Sequence, residues 1–554
     1  MQRLCFLIIN LLIVNILTAQ NIIFNWQSCL SGYESEGFDV FPYDIAKTDD
    51  GFLMVADYEV PTTAPPPQTD SDDIWLVKLD NDGNFVWDKF FGGSDRDMPC
   101  MIEASTDGYY YIIGGSASSD GDITYDPYPN SGDYWVIKID ANGNKIWDKI
   151  IGGTSGEYMY NASVYADADG GITFIGTTLS HDGDITQNYG AYDMWMVKLN
   201  ADGTKAWDFT AGTPDFEFSE AMIHTSDGGY LLGGDGTSVA GGNITCISPS
   251  WSKPEAILLK LDSERNIEWQ QCIGGSEYDG VGELLEISGG YLIGLWSSSD
   301  DRDFANSGYH IGYDNFGNRT EDMVLRKTDY NGNVIWQRCY GGSKNESPLK
   351  FYNLSDGNIM VFARTASKDG DVIGLHYDPS YPQYTLRDIW MLKINSTTGD
   401  IIWQRCIGTD DDDDIFIEGI IQLSDWDYVM TVQAFYYLLG DIACSPAQTN
   451  KQYAWTISVT DTVTYTNTQD NLTLKDVVHI YPNPATDYIT VEIPKHLCTG
   501  NTVLEIINCE GTKVKKIELN DETPIIQISD LPASLYTLKL TNQKMKASKR
   551  FIKI

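Results

Sequence analysis

The sequence has few basic residues and very few histidines. There are 37 lysines and arginines against 79 aspartates and glutamates, which gives a formal net charge of −42, and only 6 histidines. A chain this acidic repels phosphate backbones and anionic lipid, so we exclude nucleic acid and acidic membrane surfaces as direct partners. The histidines show no metal-ligand spacing. The simplest interpretation of the charge is a solvated acidic surface, which also attracts divalent cations.

Sequence motifs of common catalytic sites are missing as well. There is no Gly-x-Ser-x-Gly turn, no phosphate-binding loop and no Ser-x-Asp-x-Gly box leading to a tryptophan. A carboxylate pair for glycosidic cleavage can always be drawn from 79 acidic residues, so its availability is not evidence for a hydrolase. The sequence therefore predicts a protein that is not an enzyme.

Long hydrophobic runs are absent after the N-terminus. The single apolar run, from Leu4 to Leu17, follows Arg3 and ends before Thr18-Ala19-Gln20. This pattern predicts a signal peptide over residues 1–19, because the run is too short to span a bilayer and ends in a small residue. Cys5 lies inside the run and not at the cleavage point, so we expect no lipid anchor there.

Glycine, tyrosine and tryptophan are abundant, and the tryptophans repeat. The chain has 51 glycines, 33 tyrosines and 15 tryptophans, which favours strands and tight turns over helices. Seven tryptophans recur at spacings of 61, 60, 60, 62, 67 and 67 residues: Trp26, Trp87, Trp147, Trp207, Trp269, Trp336 and Trp403. Between them recur a Gly-Gly-Ser segment, an Asp-Gly turn, an Asp-x-Trp strand and an Asn-Gly hairpin turn. Each copy predicts four antiparallel strands, A to D, which is one propeller blade.

The two ends of the repeat region predict how the ring closes. Residues 21–30 read as a strand D, whereas Tyr453 to Val459 reads as a strand C. The first strand should therefore complete the last blade, which leaves no open edge. The predicted fold class is all-β: a seven-bladed β-propeller over residues 20–460, closed by the N-terminal strand, plus a small C-terminal β-sandwich. An open solenoid is the alternative, although it needs capping units that the sequence does not show.

Cysteines occupy one position of the repeat in four copies. Cys29, Cys272, Cys339 and Cys406 lie three residues after a repeat tryptophan, where other copies carry Phe90, Ile150 and Thr210. A position shared by these residue types predicts a buried packing site, and copies on different blades should be too far apart to bridge. We therefore expect no disulfide at this position. Cys498 and Cys509 in the tail are left as a candidate pair.

The repeat resembles two known groups. Asp140-x-x-Gly143-x-x-x-Trp147 is similar to the tryptophan-docking repeat of quinoprotein-type propellers, which implies that each indole packs between blades. The adjacent cysteine pair and the eighth blade of the quinoprotein dehydrogenases are absent, so quinone chemistry is not implied. The longer pattern from Trp26 to Val459 is similar to secreted propellers of Bacteroidota, and this resemblance implies no particular activity.

The C-terminal region carries its own motifs. Residues 461–475 are rich in threonine and asparagine and predict a linker, and a second domain follows over residues 476–554. Its motif residues are Tyr481, Pro482, Asn483, Pro484, Gly511, Leu531, Pro532 and Tyr536. They resemble the type A sorting domain of the type IX secretion system of Bacteroidota, although Ser534 stands where glycine is usual. The resemblance implies export through the outer membrane by that machinery, and release or surface attachment; an ordinary β-sandwich is the alternative.

Binding residues are expected on the face where the B–C connections are long. These connections cover residues 57–73, 116–133, 235–255, 297–322 and 365–388, and variable loops on a rigid scaffold are where binding usually resides. The candidate ligand-binding residues are Tyr125, Tyr128, Trp251, Tyr377 and Tyr381. Aromatic rings beside carboxylates suit sugar or peptide recognition, whereas packing of the loops against each other is the alternative.

An acidic residue follows every repeat tryptophan by ten positions on the same face. These residues are Glu36, Asp97, Glu157, Glu217, Asp279, Glu346 and Asp413. Each precedes an innermost strand, so we expect a ring of carboxylates at the mouth of the channel. One hypothesis is a site for Ca²⁺ or a cationic ligand, and the alternative is that each acid accepts N–H groups of its own loop. Ca²⁺ is the only cofactor that the sequence suggests.

Taken together, these patterns predict an exported, monomeric propeller that binds a glycan, a peptide or a host protein without chemistry. A glycan-active hydrolase or lyase that uses acidic residues of the loop-rich face is one alternative. A structural component of the cell surface is another.

Overall fold

A computed structural model shows two compact units, residues 1–464 and 465–554. The structure describes residues 21–30, 40–59, 72–129, 131–237, 239, 241–246, 253–314, 316–376, 387–408, 417–434, 441, 453–462, 479–481, 486–492, 503–507, 513–518, 525–529, 531–532, 534–541 and 546–553. The predicted signal peptide lies outside these residues, as does nearly all of the predicted linker.

The first unit is built from antiparallel strands. Strand β1 is Asn21–Leu30. Blades 1 and 2 contain β2 (Val40–Thr48), β3 (Gly51–Glu59), β4 (Asp72–Asp80), β5 (Phe85–Phe91), β6 (Asp97–Ala104), β7 (Tyr110–Ser116), β8 (Asp133–Ile139) and β9 (Lys145–Ile151). Blades 3 and 4 contain β10 (Glu157–Ala166), β11 (Ile172–Thr178), β12 (Asp193–Leu199), β13 (Lys205–Ala211), β14 (Glu217–His224), β15 (Tyr230–Gly236), β16 (Glu255–Leu261) and β17 (Ile267–Ile273).

The remaining blades follow the same order. Blades 5 and 6 contain β18 (Asp279–Ile287), β19 (Gly290–Ser297), β20 (Asp322–Thr328), β21 (Val334–Tyr340), β22 (Glu346–Asn353), β23 (Ile359–Thr365), β24 (Asp388–Ile394) and β25 (Ile401–Ile407). Blade 7 contains β26 (Ile417–Gln422), β27 (Asp427–Ala434), β28 (Tyr453–Thr462) and β1. A short 3₁₀ turn, Arg302–Phe304, lies in the B–C loop of blade 5.

Seven blades close into a ring, as the sequence predicts. Strand β1 pairs antiparallel with β28, with Trp26 opposite Ser458, and so supplies the outer strand of blade 7. Val429 and Ala454 of blade 7 lie in the same buried hydrophobic cluster as Met54 and Ala56 of blade 1. One cavity on the axis is lined by residues of all seven innermost strands. The N-terminal strand therefore joins the last blade to the first.

The repeat tryptophan of each blade docks on the next blade, as the resemblance implies. The indole of Trp147 lies on the C–D turn of blade 3, where a Cβ added to Gly203 would lie 3.1 Å from the ring. Gly203 has a φ of +81°, which favours glycine. The Trp147 Nε1–H donates to the Ala201 carbonyl oxygen at 3.0 Å. The same arrangement recurs between Trp269 and the turn of blade 5.

A lysine on strand C ties the tight-turn face of the blades together. Its side chain is largely buried and pairs with an aspartate of the A–B turn in five blades: Lys78–Asp50 at 2.6 Å, Lys138–Asp107 at 2.7 Å, Lys198–Asp169 at 3.0 Å, Lys260–Asp227 at 2.8 Å and Lys393–Asp356 at 2.7 Å. The aspartates remain partly exposed, so solvent screens each pair. These contacts give the Asp-Gly turns and the Asp-x-Trp-x-x-Lys strands of the repeat a common structural role.

The expectation that the repeat cysteines form no disulfide is wrong for two of them. Cys272 is bonded to Cys246, with a Cα–Cα distance of 5.6 Å, and Cys29 is also disulfide-bonded. The partner of Cys272 comes from the B–C loop of the same blade and not from another blade. Cys339 and Cys406 are buried free thiols. The position thus faces its own blade's B–C loop, which the repeat spacing alone did not show.

The second unit contains two small sheets in the part that the structure describes. Its strands are β29 (His479–Tyr481), β30 (Tyr488–Glu492), β31 (Val503–Ile507), β32 (Lys513–Glu518), β33 (Ile525–Gln527), β34 (Ser534–Thr541) and β35 (Lys546–Lys553). The sheet orders are β29-β30-β33 and β32-β31-β34-β35. In the described portions of both units, no helix has the length and apolar character needed to cross a membrane.

Candidate functional site

Five of the seven predicted acidic residues are described, and all five are buried at the start of an innermost strand. Each accepts a backbone N–H from the loop four residues before it: Gly93 to Asp97 at 2.7 Å, Gly153 to Glu157 at 3.3 Å, Thr213 to Glu217 at 2.7 Å, Gly275 to Asp279 at 2.7 Å and Gly342 to Glu346 at 2.9 Å. Glu36 and Asp413 lie outside the described residues. These bonds place the acids inside the loops, so the Ca²⁺ hypothesis for the mouth stays a prediction.

Each of these acids lies beside a second acid from the preceding blade. The partner is the first residue of the Asp-x-Trp strand or its equivalent, so the structure contains the pairs Asp73/Asp97, Asp133/Glu157, Asp193/Glu217, Glu255/Asp279 and Asp322/Glu346. We call these contacts blade junctions. Burial, with the neighbouring carboxylate in support, raises the pKa of Asp73 to about 7, and burial likewise raises that of Glu217 to about 7.

The first glycine of each Gly-Gly segment makes room for the junction. A Cβ added to Gly152 would lie 2.0 Å from Asp133 Oδ1 and 2.5 Å from Glu157 Oε2. In blade 4, where the segment reads Gly212-Thr213, a Cβ added to Gly212 would lie 1.8 Å from Asp193 Oδ1. Since no side chain fits there, the glycine at this position lets the two carboxyl groups approach across the junction. The sequence showed the motif but not this reason for it.

Basic groups of the chain reach two of these junctions and one further aspartate of a strand C, Asp388. The Arg302 guanidinium lies 3.8 Å from Glu255 and donates to the Gly275 carbonyl oxygen at 2.6 Å. His310 Nδ1 lies 3.0 Å from Asp322 Oδ2, and His376 Nδ1 lies 2.7 Å from Asp388 Oδ2. The hydrogen bond to Asp322 raises the pKa of His310 above its ordinary value.

The Asp-Gly-Asp motifs brace the same junctions. The first aspartate accepts an N–H from the residue after the Gly-Gly pair, as in Ser94 to Asp120 at 2.8 Å and Thr154 to Asp182 at 2.8 Å. The middle glycine has a positive φ, +67° at Gly121. These motifs therefore hold the B–C loop against the Gly-Gly segment.

Two of the five predicted ligand-binding aromatic residues are described. Tyr125 is 72% exposed on the B–C loop of blade 2. Tyr128 is partly buried and its ring packs against the backbone of blade 3, where a Cβ added to Gly183 would lie 2.8 Å from it. Trp251, Tyr377 and Tyr381 lie outside the described residues. Only Tyr125 of the described pair is placed to meet a ligand from solvent.

The B–C loop of blade 5 forms an exposed hairpin that the sequence did not single out as a unit. Tyr313 pairs with Arg319, and Asp314 accepts the N–H groups of Phe316 and Asn318, both at 2.8 Å. Phe316 is 91% exposed at its tip, and Ile311 and Tyr313 are 60% and 57% exposed. The base is held by Tyr309, whose hydroxyl donates to the Thr320 carbonyl oxygen at 2.6 Å. We call residues 309–320 the blade 5 finger.

A polar cavity of about 670 Å³ occupies the axis of the ring. Each innermost strand that contributes to it has a register irregularity close to its start, for example between Pro99 and Met101 in β6. Carboxylates outnumber cations in the lining: Asp44, Glu103, Glu220, Glu283 and Glu321 against Lys47, Lys350 and Arg364. Lys350 Nζ lies 3.4 Å from Glu283 Oε1. Burial, then the Asp44 charge, raise the pKa of Glu103 to about 7.

Comparison with protein families assigns the second unit. Residues 479–554 match the family described as "Secretion system C-terminal sorting domain". The chain carries a type IX sorting domain. It is therefore exported, and it is either secreted or attached to the cell surface. The sorting domain also implies contact with the type IX machinery.

The predicted motif residues of the sorting domain lie partly within the described residues. Leu531 and Tyr536 are buried, and the Tyr536 hydroxyl donates to the Pro532 carbonyl oxygen at 2.8 Å. Tyr481 ends β29. Pro482, Asn483, Pro484 and Gly511 lie outside the described residues, as do Cys498 and Cys509. The described motif residues thus form part of the core of the sorting domain.

Several solved structures are similar to the chain at low sequence identity. A protein of unknown function from Dyadobacter fermentans is 11% identical, with a TM-score of 0.39, and the match covers 80% of this chain and 99% of that one. BamB from Moraxella catarrhalis is 11% identical, with a TM-score of 0.32 and coverage of 78% and 99%. Drosophila Plexin A in complex with Semaphorin 1b is 9% identical, with a TM-score of 0.36 and coverage of 80% and 88%. A search of curated proteins finds no match.

Proposed function

We propose that the exported propeller is a non-catalytic binding module that takes a peptide or protein partner on its loop-rich face. The observation that supports this proposal is the blade 5 finger. It displays an almost fully exposed phenylalanine on a turn that is held by hydrogen bonds at its tip and at its base. A rigid aromatic side chain contributes contact area at little cost in conformational entropy, and such residues dominate binding energy at interfaces.

Other turns of the same chain show that folding does not require this phenylalanine. The finger's Asp314-x-Phe316-Gly-Asn318 turn has the same hydrogen bonds as the C–D turns Asp140-x-Asn142-Gly-Asn144 and Asp329-x-Asn331-Gly-Asn333. Those turns carry a polar residue at the third position. An exposed phenylalanine at the finger tip stabilises the turn no more than asparagine would at the same position, so we assign Phe316 to recognition of a partner.

Tyr125 extends the same surface toward blade 2, because B–C loops of all blades open on one face of a propeller. Its exposed ring suits a glycan as well as a peptide, so glycans stay among the ligands to be tested. Ile311 and Tyr313 beside Phe316 make the finger itself more apolar than a sugar site requires. The finger therefore favours a peptide or protein partner.

The proposal is tested by screening the full exported chain against glycan arrays and extracellular matrix proteins. Phe316→Asn is expected to weaken binding of a captured protein by at least about tenfold, since a central aromatic anchor contributes about 2 kcal/mol or more and tenfold corresponds to about 1.4 kcal/mol. Asn331→Phe, in the equivalent turn of the opposite face, is the matched control and should not change binding. Equal binding by wild type and Phe316→Asn would contradict the proposal, and turnover of any glycan would replace it.

The axial cavity favours a second candidate, a glycan-active hydrolase. Glu103, with its pKa near neutrality, lines the same cavity as Asp44, whose carboxylate accepts two backbone N–H groups. A carboxylic acid with a raised pKa beside a second carboxyl group is an arrangement that glycosidic cleavage uses. Release of reducing sugar by wild type and its loss in Glu103→Gln would support this candidate.

A further inference from the structure

Two histidines of the loop-rich face are held by the same arrangement in consecutive blades. Each stands twelve residues before the aspartate that begins its own strand C, His310 before Asp322 in blade 5 and His376 before Asp388 in blade 6. The backbone N–H of each histidine donates to that aspartate, at 2.8 and 2.9 Å. The Nδ1 atoms lie 3.0 and 2.7 Å from the same carboxylate oxygens. Two bonds to one aspartate therefore fix the position of each imidazole.

The other ring nitrogen of each histidine faces the next blade. His310 Nε2 lies 3.7 Å from Asp371 Oδ2 in the B–C loop of blade 6. His376 Nε2 lies 3.4 Å from Asp441 Oδ2 in the B–C loop of blade 7. The backbone N–H of each of these aspartates donates to a glycine carbonyl oxygen, at 2.8 and 2.9 Å, so the loop backbones are anchored there. Each imidazole thus lies between carboxylates that belong to two consecutive blades.

The protonation of the ring decides whether both carboxylates are bonded to it. A neutral imidazole with its proton on Nδ1 donates to the aspartate of its own strand C and presents a lone pair to the neighbouring loop. A protonated imidazole donates from both nitrogens and places a positive charge between two negative ones. Histidine is the side chain whose ordinary pKa lets modest changes of external pH alter its charge. The ring therefore joins the two loops only when it is protonated.

The two histidines differ in how much their contact depends on that proton. Asp441 is also paired with Arg405, whose guanidinium lies 3.2 Å from Asp441 Oδ1, so the contact between blades 6 and 7 keeps a positive charge without His376. The carboxyl groups that face His310 are those of Asp322, Asp371 and Glu346. The hydrogen bond to Asp322 and these charges outweigh partial burial and raise the pKa of His310 above its ordinary value. His310 is therefore the histidine whose proton controls a contact between blades.

We propose that His310 is a pH-operated latch on the loop-rich face. In mild acid its imidazolium ties the base of the blade 5 finger to the B–C loop of blade 6, and above neutral pH the neutral ring releases that loop. The native state favours the protonated ring, so the contact is complete below the ordinary pKa of histidine and is lost as the pH rises through the raised pKa of His310. Since the protein is exported, the pH outside the cell would set how firmly the finger is held.

The test is hydrogen exchange of the full chain, read by mass spectrometry at about pH 5 and about pH 8. After correction for the intrinsic pH dependence of exchange, amides of the finger base and of residues 366–372 should be about threefold better protected in acid, as a partly exposed ion pair supports. His310→Asn keeps a donor toward Asp322 but cannot take up a proton, so its protection should not change with pH. His181→Asn, at an exposed histidine in the B–C loop of blade 3, is the matched control and should respond as the wild type does.

A variant on the other side of the contact keeps the outcome decisive. Asp371→Asn removes the partly exposed carboxylate of blade 6 and leaves the bond between His310 and Asp322 in place, so it should also abolish the pH difference. It replaces His310→Asn if that variant does not fold. Equal corrected protection of the wild type at both pH values overturns the proposal, as does a pH difference that persists in Asp371→Asn. Exchange is measured on the free protein, so neither result depends on a partner of the blade 5 finger.

Discussion

Removal of one docking indole should weaken one blade contact by an amount that the structure allows us to estimate. Trp147 packs on the C–D turn of blade 3, lies 5.7 Å from the Tyr111 ring between centroids, and donates to the Ala201 carbonyl oxygen. Truncation of a fully buried tryptophan to alanine costs about 3–5 kcal/mol. Trp147 is only partly buried, so we expect Trp147→Ala to lower the free energy of unfolding by about 3 kcal/mol, near the lower limit.

A second variant separates the parts of this contact. Trp147→Phe keeps an aromatic ring at the junction but loses the Nε1–H bond, for which we expect a loss of about 1 kcal/mol. Urea unfolding followed by tryptophan fluorescence and by circular dichroism gives both values, and coincidence of the two probes checks that the ring unfolds as a unit. If Trp147→Ala costs no more than Trp147→Phe, the ring does not stabilise the junction by packing, and the docking interpretation fails.

Three other perturbations have defined outcomes. Glu103 is protonated in the native state up to about pH 7 but ionises near its ordinary pKa when unfolded, so its contribution to stability is complete at low pH and is lost as the pH rises through about 7. The melting temperature of the wild type should therefore fall more between about pH 5 and about pH 9 than that of Glu103→Gln. Parallel melting curves against pH for the two proteins would contradict this. Lys138→Met removes the ion pair with the partly exposed Asp107 and one of the donors to the Gly170 and Ala201 carbonyl oxygens, and should destabilise the propeller by about 2 kcal/mol in urea unfolding, whereas Lys145→Met near the surface should cost much less. Deletion of residues 479–554 should leave the propeller folded but retained inside the outer membrane, as judged by cell fractionation, and appearance of the truncated chain in the medium would refute the role of the sorting domain.

The sequence by itself determined the fold and the destination of the chain. Seven tryptophans at nearly constant spacing, with hairpin turns between them, are local features, because strands and turns depend on neighbouring residues. The closure by β1 followed from the same pattern, since a chain that begins in strand D and ends its repeats in strand C has one arrangement that leaves no edge. The sorting motif identified the second unit directly.

Only the tertiary structure decided what lies between the blades. The acids ten residues after the tryptophans were predicted to form a ring at the mouth of the channel, and the sequence did not show that each of the five described ones lies beside an acid at the start of the preceding blade's strand C, as Asp97 lies beside Asp73. Arg302 corresponds to Gly121 only once the loops are superposed through their hydrogen bonds. Cys272 found its partner in Cys246, 26 residues away in a loop of variable length. Each of these contacts joins segments that are distant in sequence, and a repeat pattern fixes the spacing of equivalent positions along the chain but not which different positions meet in space.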